Sequence, residues 1–375
     1  MSGPILLVAG GTGGHLFPAE ALSAELLRRG RTVHLAIDAR AEVFAGRLPG
    51  VGVHRVRAGR LGGGPLGLAR GLAGLARGVF DARALLRRLS PAAVVGFGGY
   101  SSLPTMLAAA HLGFPTLLHE QNAVLGRANR LLAPRTCRIA TGFPVTAGLR
   151  PADRDRAVHT GNPVRPAILA VGEVPYHPPA PDQPVRLLIF GGSQGARVMS
   201  AVVPPALARL PEALRRRLHV GHQARPEDLA AAAAAYRAAG IAADLDSFFT
   251  DIPERLARAH LVICRAGAST IAELAVCGRP ALLVPYPHAA DDHQTANARA
   301  FAEAGGGWVI AQAALDPERL APWLAQLFAE TARLSAAAKQ ARRFGRPDAA
   351  RHLADLALAL RPDGNRIARK EERAA

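Results

Sequence analysis

Short apolar segments alternate with glycine-rich turns and helical patterns in the first half of the chain. Residues 5–9 are apolar and lead into four glycines within 10–14, after which apolar residues recur at helical spacing as far as Gly30. A second apolar segment at 92–95 is followed by the glycine-rich residues 96–100 and another helical pattern. This alternation predicts βαβ units in a parallel sheet.

The composition changes near residue 150, and the same pattern then starts again. Residues 176–184 are rich in proline, and Val185–Phe190 is an apolar segment that precedes a glycine-rich turn at 191–195. A further unit of this kind begins at Leu261. We therefore predict an α/β fold with two doubly wound, Rossmann-like domains. Such sheets bind ligands beyond the carboxyl ends of their strands, so we expect a site in a cleft between the domains.

The length of the chain and its cysteine content are consistent with two α/β domains. A chain of 375 residues corresponds to two domains at roughly 100–200 residues each. The three cysteines have no C-x-x-C spacing, which argues against a disulfide framework and against a zinc site. No apolar segment reaches the roughly 20 residues of a membrane-spanning helix. The first apolar segment is predicted to be a core strand and not a signal peptide.

Charge is the first indication of a partner. The chain has 46 Lys and Arg against 29 Asp and Glu, which gives a formal charge of +17. This excess favours nucleic acid, an anionic membrane surface or anionic substrates. Arginine and alanine are abundant throughout the chain, so a genomic preference for them is an alternative explanation. Composition alone leaves these explanations open.

The turn at residues 10–14 follows a strand and opens a helix. Backbone N–H groups in that context bind phosphates or sugars. The turn lacks the Lys-Ser/Thr of a Walker loop, and Leu16 stands where the dinucleotide-binding motif has its third glycine. His15, in the first turn of the helix, is placed to act as a general base. A capping or core histidine is the alternative.

Two further segments contain candidate functional residues. Residues 119–122 (HEQN) place four polar side chains directly after a strand and before a helix predicted at 123–132, which favours a functional site. Thr270 and Glu273 have the spacing of a capping box, a structural explanation that spacing alone favours. The functional alternative is that Glu273 binds ribose hydroxyls.

The loop at 285–294 contains two His and two Asp, but its spacing fits no standard zinc pattern. We predict a solvated loop in which Gln294 contacts a ligand, and we expect no metal and no cofactor.

Residues 59–89 alternate apolar side chains with arginines, a pattern typical of a helix on a membrane surface. An ordinary core-facing helix with an arginine-rich exposed face is the alternative.

Taken together, these motifs resemble the MurG family of peptidoglycan glycosyltransferases over essentially the whole chain. The matching segments are GGTGGHLFPA (10–19), GFGGYSS (96–102), HEQNAVLGRANRLL (119–132), GNPVR (161–165), GGSQGA (191–196), RAGASTIAELA (265–275) and HQTANA (293–298). Each is weak alone, but their order and separations are highly specific.

The resemblance implies a GT-B fold. Residues 1–163 would form an N-terminal domain that binds the acceptor and the membrane, and 164–345 a C-terminal domain that binds UDP-N-acetylglucosamine. Residues 346–362 would be a helix that returns to the first domain, and 363–375 a tail.

The resemblance also implies roles for individual residues. In the C-terminal half Ser193 would contact the diphosphate, the backbone near Phe249 the uracil, Ala268, Ser269 and Thr270 the phosphates, Glu273 the ribose and Gln294 the sugar. Arg165 would support the nucleotide from the hinge. The remaining substrate-binding positions would be Thr12, Gly13, Gly14, Tyr100 and Asn122.

The implied reaction is an inverting transfer of N-acetylglucosamine to the C4 hydroxyl of the muramoyl sugar of lipid I, which gives lipid II. His15 is the first choice for the base, and Glu120 would orient or replace it. The enzyme would act as a peripheral protein on the cytoplasmic face of the inner membrane, bound to an anionic surface. A UDP-N-acetylglucosamine 2-epimerase of the same fold is the rival enzyme. Nucleic acid is not expected as a partner, because aromatic residues make up only 5% and no recognition motif is present.

Overall fold

The computed structural model describes residues 3–10, 13–38, 48–57, 64–192 and 195–361, and for 65–70 and 72 it describes the backbone alone. The sequence-predicted residues Thr12 and Ser193 and the predicted tail at 363–375 lie outside these ranges. The chain divides into unit 1, which comprises Met1–Arg165 and Pro347–Ala375, and unit 2, which comprises Pro166–Arg346.

Unit 1 is built on a seven-stranded parallel sheet in the order β3-β2-β1-β4-β5-β6-β7. Its strands are β1 (Ile5–Val8), β2 (Val33–Ile37), β3 (Val51–Arg55), β4 (Ala93–Gly96), β5 (Thr116–Glu120), β6 (Arg138–Thr141) and β7 (Ala157–His159). In register, Leu7 lies opposite Leu35 on one side and Val95 on the other. The strand order departs from β1 in both directions, as the prediction of a doubly wound sheet requires.

Helices cover both faces of this sheet. They are α1 (Gly13–Arg28), α2 (Gly64–Leu89), α3 (Leu103–Leu112), α4 (Arg127–Leu132), α5 (Pro151–Arg154) and α15 (Ala349–Ala359). One core contains Leu22 of α1 together with Leu353 of α15. The other contains Leu86 of α2 and Met106 of α3. Each core buries the apolar residues of one sheet face, and burial of this kind is the main stabilising contribution to folding.

The last helix, α15, completes the first of these cores. Leu353, Ala354 and Ala357 are buried with the side chains of α1 and the central strands. At its edge the Arg29 guanidinium lies 2.6 Å from the Asp355 carboxylate and donates a hydrogen bond to the Arg351 carbonyl. A segment far from α1 in sequence is therefore an integral part of unit 1.

Unit 2 repeats the plan with a six-stranded parallel sheet in the order β10-β9-β8-β11-β12-β13. The strands are β8 (Val185–Phe190), β9 (Leu218–Gln223), β10 (Ala242–Asp246), β11 (Leu261–Cys264), β12 (Ala281–Leu283) and β13 (Gly307–Val309). The helices are α6 (Pro166–Gly172), α7 (Arg197–Ala208), α8 (Glu212–Arg215), α9 (Leu229–Ala238), α10 (Ile252–Arg258), α11 (Ala268–Cys277), α12 (His293–Glu303), α13 (Pro317–Ala329) and α14 (Thr331–Phe344). The prediction of two doubly wound, Rossmann-like α/β domains is confirmed.

One predicted helix begins later than expected. The pattern at 123–132 predicted a helix throughout, but α4 starts only at Arg127. The Leu125 amide donates to the Ala147 carbonyl at 2.8 Å, and the Ala147 amide donates to the Ala123 carbonyl at 2.8 Å. These bonds form an isolated parallel bridge between Val124 and Ala147 and keep residues 123–125 out of the helix. No helix within the described ranges has the length and apolarity needed to cross a membrane.

Candidate functional site

In unit 1, three loops meet at the carboxyl edge of the sheet. They follow the neighbouring strands β1, β4 and β5; the described residues there are Gly10 with the start of α1 at 13–15, then 97–102, and then 121–126. The strand order reverses between β1 and β4, which is where doubly wound sheets bind their ligands. The structure therefore brings His15, Tyr100 and Asn122, predicted from separate motifs, to one edge of one sheet.

His15 lies at the meeting point of these loops, in the first turn of α1. Its Nδ1 atom is 3.0 Å from Oε1 of Gln121, which follows β5. Its Nε2 atom lies beside Gly99, where an added Cβ would be only 3.3 Å away. Gly99 has a φ of +75°, a conformation that strains any residue with a side chain. Glycine at this position therefore leaves the space around His15 Nε2 open.

The Glu120 carboxylate is buried and accepts four hydrogen bonds from N–H groups. Its Oε1 accepts from the backbone and side-chain nitrogens of Asn122 at 3.0 and 3.1 Å. Its Oε2 accepts from the Gly126 amide and from Asn129 Nδ2, both at 2.8 Å. This arrangement fixes the loop that carries Asn122. A carboxylate held by four donors is suited to positioning its neighbours more than to removing a proton.

Two residues of this site, His119 and Gln121, were given no individual role from the sequence. His119 is fully buried, and its Nε2 atom is 3.1 Å from the Gly161 carbonyl. Burial lowers the pKa of His119 to about 4, so the ring is neutral at pH 7. Gln121 Nε2 lies 2.9 Å from both Nδ1 and the carbonyl oxygen of His119. The sequence feature that could have indicated both residues is the run of four polar side chains at 119–122, which lies at the end of a buried strand.

Other predicted residues of unit 1 surround the same edge. Gly13 and Gly14 begin α1, and Gly14 is exposed. Tyr100 is 39% exposed, which leaves its ring accessible to a ligand. The Arg165 guanidinium lies over the Phe17 ring, 4.6 Å from its centre, and is thereby anchored to α1.

In unit 2, four candidate segments likewise follow the carboxyl ends of strands. Only glycine fits directly after β8, because a Cβ on Gly191 would lie 2.4 Å from the Ala196 amide nitrogen. The helix that follows, α7, starts at Arg197 without a side-chain cap and without an acidic residue in its first turn. Its first N–H groups are therefore available to an anion.

The turn after β11 has the same character. Helix α11 starts at Ala268, and its N-cap is Gly267, with no side-chain cap. The predicted capping box is wrong, because Thr270 lies inside the helix and Glu273 further along it. The Ser269 hydroxyl is buried and has no hydrogen-bond partner among the described residues, whereas Glu273 is 7% exposed. A hydroxyl without a partner, next to helix N–H groups that lack one, is suited to donate a hydrogen bond to a phosphate oxygen.

Gln294 and Phe249 occupy the other two segments. Gln294 Oε1 accepts from the Tyr286 amide at 2.9 Å and the Ala266 amide at 3.3 Å, so its carbonyl links the ends of β12 and β11. This orientation leaves the Nε2 group as a donor. Phe249, after β10, is buried under the Arg255 guanidinium, which lies 3.7 Å from the ring centre and pairs with Asp251. The ring therefore anchors the local backbone.

A cavity of 440 Å³ in unit 2 lies elsewhere. Its lining includes the first residues of β8, β9 and β10 and the side chains of α10, away from the carboxyl ends of these strands. Gly191, Phe249, Ser269 and Gln294 do not line it, although Asp251 and Arg255, which hold Phe249, do. Within the described ranges, no group of three or more His, Cys, Asp or Glu side chains is arranged to hold a metal ion.

Both halves of the chain are similar to known proteins. Residues 5–141 match the glycosyltransferase family 28 N-terminal domain, and residues 186–353 match the C-terminal domain of the same family. The UDP-N-acetylglucosamine--N-acetylmuramyl-(pentapeptide) pyrophosphoryl-undecaprenol N-acetylglucosamine transferase of Rhodospirillum centenum is 56% identical over 96% of each chain.

Two solved structures show the same fold. The crystal structure of Acinetobacter baumannii MurG has a TM-score of 0.76 and 31% identity, over 95% of this chain and 99% of that one. A UDP-GlcNAc 2-epimerase from Neisseria meningitidis, bound to UDP-GlcNAc, has a TM-score of 0.67 over 94% and 98% of the two chains. Its identity is only 11%, so that likeness concerns the fold alone. The chain thus belongs to the MurG family of glycosyltransferases, within glycosyltransferase family 28.

Proposed function

We propose that this chain transfers N-acetylglucosamine from UDP-N-acetylglucosamine to the C4 hydroxyl of the N-acetylmuramoyl sugar of lipid I, which gives lipid II. The observation that carries the proposal is the 56% identity, over 96% of the chain, to a transferase named for that donor sugar and that acceptor. The arrangement around His15 in unit 1 supports it, because the reaction needs a base at the attacking hydroxyl.

We assign the donor to unit 2. The open N–H groups of α7 and α11 would hold the diphosphate, with the Ser269 hydroxyl and Thr270 beside them and Ser193 in the turn before α7. The positive ends of two helix dipoles would stabilise the charge of the departing UDP without a metal ion. Further contacts would come from Glu273 to the ribose, Gln294 Nε2 to the sugar, the backbone near Phe249 to the uracil, and Arg165 to the nucleotide.

We assign the acceptor and the base to unit 1. The C4 oxygen of the muramoyl sugar attacks the anomeric carbon on the face opposite UDP, and the bond from that carbon to the diphosphate oxygen breaks. The hydroxyl proton passes to Nε2 of His15, so a β-1,4 link forms with inversion. Glu120 holds the loop that presents Asn122. Gly13, Gly14 and Tyr100 would line the approach to His15, and Thr12, which lies outside the described residues, is assigned to the same role from the sequence.

A transfer assay tests the proposal. Labelled N-acetylglucosamine should pass from the UDP-sugar to a lipid I analogue with the wild-type chain, and His15→Gln should lower kcat roughly 10²–10⁴-fold. The matched control is His352→Gln, because His352 is exposed on α15 and belongs to none of the three loops. Incubation with UDP-N-acetylglucosamine alone tests the rival epimerase. Formation of the manno epimer without acceptor would overturn the transferase assignment.

We further propose that α2 contacts an anionic membrane. Its inner face packs against α3 and buries Leu85 and Leu86. Its outer face exposes Phe80, at 76%, with the arginines 77, 87 and 88. An exposed aromatic ring among cations is typical of an interfacial helix. The two interpretations left open by the sequence are therefore compatible, because they concern opposite faces of one helix.

Membrane binding is measured by co-sedimentation with vesicles. The chain should bind phosphatidylglycerol vesicles more tightly than phosphatidylcholine vesicles, since each cation near an anionic surface contributes about 1 kcal/mol. Replacement of the three outer arginines by Gln should therefore weaken binding by roughly 100-fold. Three exposed arginines of unit 2 (216, 237 and 346), changed in the same way, provide the control. Equal loss in both variants would indicate a general charge effect.

A peripheral position on the cytoplasmic face of the inner membrane is consistent with this proposal. The donor is a nucleotide sugar, and Cys137, Cys264 and Cys277 are all buried free thiols, as expected in a reducing compartment. Duplex DNA should not displace vesicles from the chain, because the arginines 77, 87 and 88 of α2 surround the exposed apolar ring of Phe80. Displacement of the vesicles by DNA at equal salt would contradict this.

A further inference from the structure

A chain of hydrogen bonds runs from a backbone carbonyl to His15. The Gly161 carbonyl lies 3.1 Å from Nε2 of His119, and Nδ1 of that ring lies 2.9 Å from Nε2 of Gln121. Gln121 Nε2 is also 2.9 Å from the carbonyl oxygen of His119. Gln121 Oε1 is 3.0 Å from Nδ1 of His15. His119 and Gln121 are both buried, so neither exchanges these partners for water.

Two carbonyl oxygens decide where the protons of this chain lie, because a carbonyl can only accept. The Gly161 carbonyl requires a proton on Nε2 of His119, so Nδ1 of that neutral ring is an acceptor. The His119 carbonyl requires the NH₂ group of Gln121 on its own side, and the same group then donates to His119 Nδ1. The other end of the amide is therefore its oxygen, and it faces His15.

The Gln121 oxygen in turn accepts a hydrogen bond, and the N–H at Nδ1 of His15, 3.0 Å away, is its donor. We propose that Gln121 is a positioning residue that holds neutral His15 as the Nδ1–H tautomer and so leaves the Nε2 lone pair free to accept the proton of the acceptor hydroxyl. This inference rests on the proposed function for its chemical purpose. The tautomer itself is a property of the protein without substrate.

The tautomer matters because a neutral imidazole has one basic nitrogen. If His15 carried its proton on Nε2, the nitrogen beside Gly99 would be a donor and could not act as the base. Histidine side chains in water favour the Nε2–H form, so the protein has to impose the other one. Gln121 does so by offering an acceptor to Nδ1, and His119 prevents the amide from turning around.

Nitrogen-15 NMR of the full chain, labelled in its histidine rings, tests this directly. The His15 signals are assigned by their loss in His15→Gln. In the wild type we expect a protonated, pyrrole-type Nδ1 and an unprotonated, pyridine-type Nε2 at a pH where the ring is neutral. The opposite pattern in the wild type would overturn the proposal without any variant.

Three variants separate positioning from stability. Gln121→Met removes the acceptor, so the His15 signals should move toward the Nε2–H pattern. Gln121→Glu keeps an oxygen toward His15 and should keep the Nδ1–H pattern, although it should lower the melting temperature because its second oxygen faces the His119 carbonyl. Gln326→Met, on the exposed surface of α13, is the matched control and should leave the His15 signals unchanged.

Kinetics provide the second readout. Gln121→Met should lower kcat roughly tenfold or more, in proportion to the lost fraction of the competent tautomer, with little change in KM for the donor. Unchanged His15 signals in Gln121→Met would overturn the proposal. Full turnover of His15→Gln would instead overturn the assignment of the base while the tautomer result stands, so the two failures are distinguishable.

Discussion

Glu120→Gln tests whether this carboxylate organises the site or acts on the substrate. In the wild type the two carboxylate oxygens accept four N–H bonds from Asn122, Gly126 and Asn129, at 2.8–3.1 Å. In the variant one oxygen becomes an NH₂ group. Whichever way the amide turns, two of the four N–H donors then face another donor, so two bonds are lost.

The size of the effect follows from these bonds. A hydrogen bond to a charged acceptor contributes about 1.5–3 kcal/mol, and removal of the buried charge offsets part of the loss of two of them. We expect the free energy of unfolding of unit 1 to fall by about 3 kcal/mol. For a unit of this size the melting temperature should fall by roughly 6–12 °C.

Calorimetry measures the melting temperature, and the transfer assay measures kcat and the KM for the acceptor. Glu212→Gln is the matched control, because this exposed carboxylate pairs with Arg216 at the protein surface, and loss of the pair should change stability by less than about 0.5 kcal/mol. We expect Glu120→Gln to raise the KM for the acceptor as Asn122 loses its tether. An unchanged melting temperature with kcat lowered more than 100-fold would refute this reasoning and identify Glu120 as the base.

Three further expectations concern other parts of the two units. Gly99→Ala should lower kcat with little loss of secondary structure by circular dichroism, because its Cβ would lie 3.3 Å from His15 Nε2 at a φ of +75°; wild-type kcat would contradict this. Ser269→Ala should weaken UDP binding roughly 10–100-fold in calorimetry while thermal stability is retained; unchanged affinity would remove the hydroxyl from the phosphate site. Burial lowers the pKa of His119 and of His222 to about 4, below the 6.5 of an unfolded histidine. The unfolded chain therefore binds protons first, and each residue should lower the unfolding free energy by roughly 3 kcal/mol as the pH falls from 6.5 to 4. Denaturant titrations that give equal stability at pH 7 and pH 5 would refute this.

The turns were predictable because glycine clusters after apolar strands have few other uses. That pattern located both sheets and placed His15 at the start of α1. By contrast, the sequence did not predict β3, since Val51–Arg55 is only partly buried at the sheet edge and carries a weak apolar signal. The start of α4 was misjudged for a related reason, because its position depends on backbone bonds to Ala147.

The partners within the site were beyond sequence reasoning. His15 and Gln121 are separated by 106 positions in the chain, and no local pattern pairs them. The capping-box prediction failed because two explanations shared one spacing, and only the observed helix start at Ala268 separates them. Spacing indicates which side chains share a helix face, but it does not fix where the helix begins.

The position of α15 has a consequence for synthesis of the chain on the ribosome. Unit 1 buries Leu353, Ala354 and Ala357, so its core stays open until the last helix has emerged. Unit 2, whose residues are contiguous from 166 to 346, is complete earlier. A nascent chain therefore holds an unfinished first domain, with an apolar strip of α1 exposed, throughout translation of the second. Chaperones that bind apolar segments should bind that strip during this interval. They should release it once α15 has emerged from the ribosome and can pack against α1.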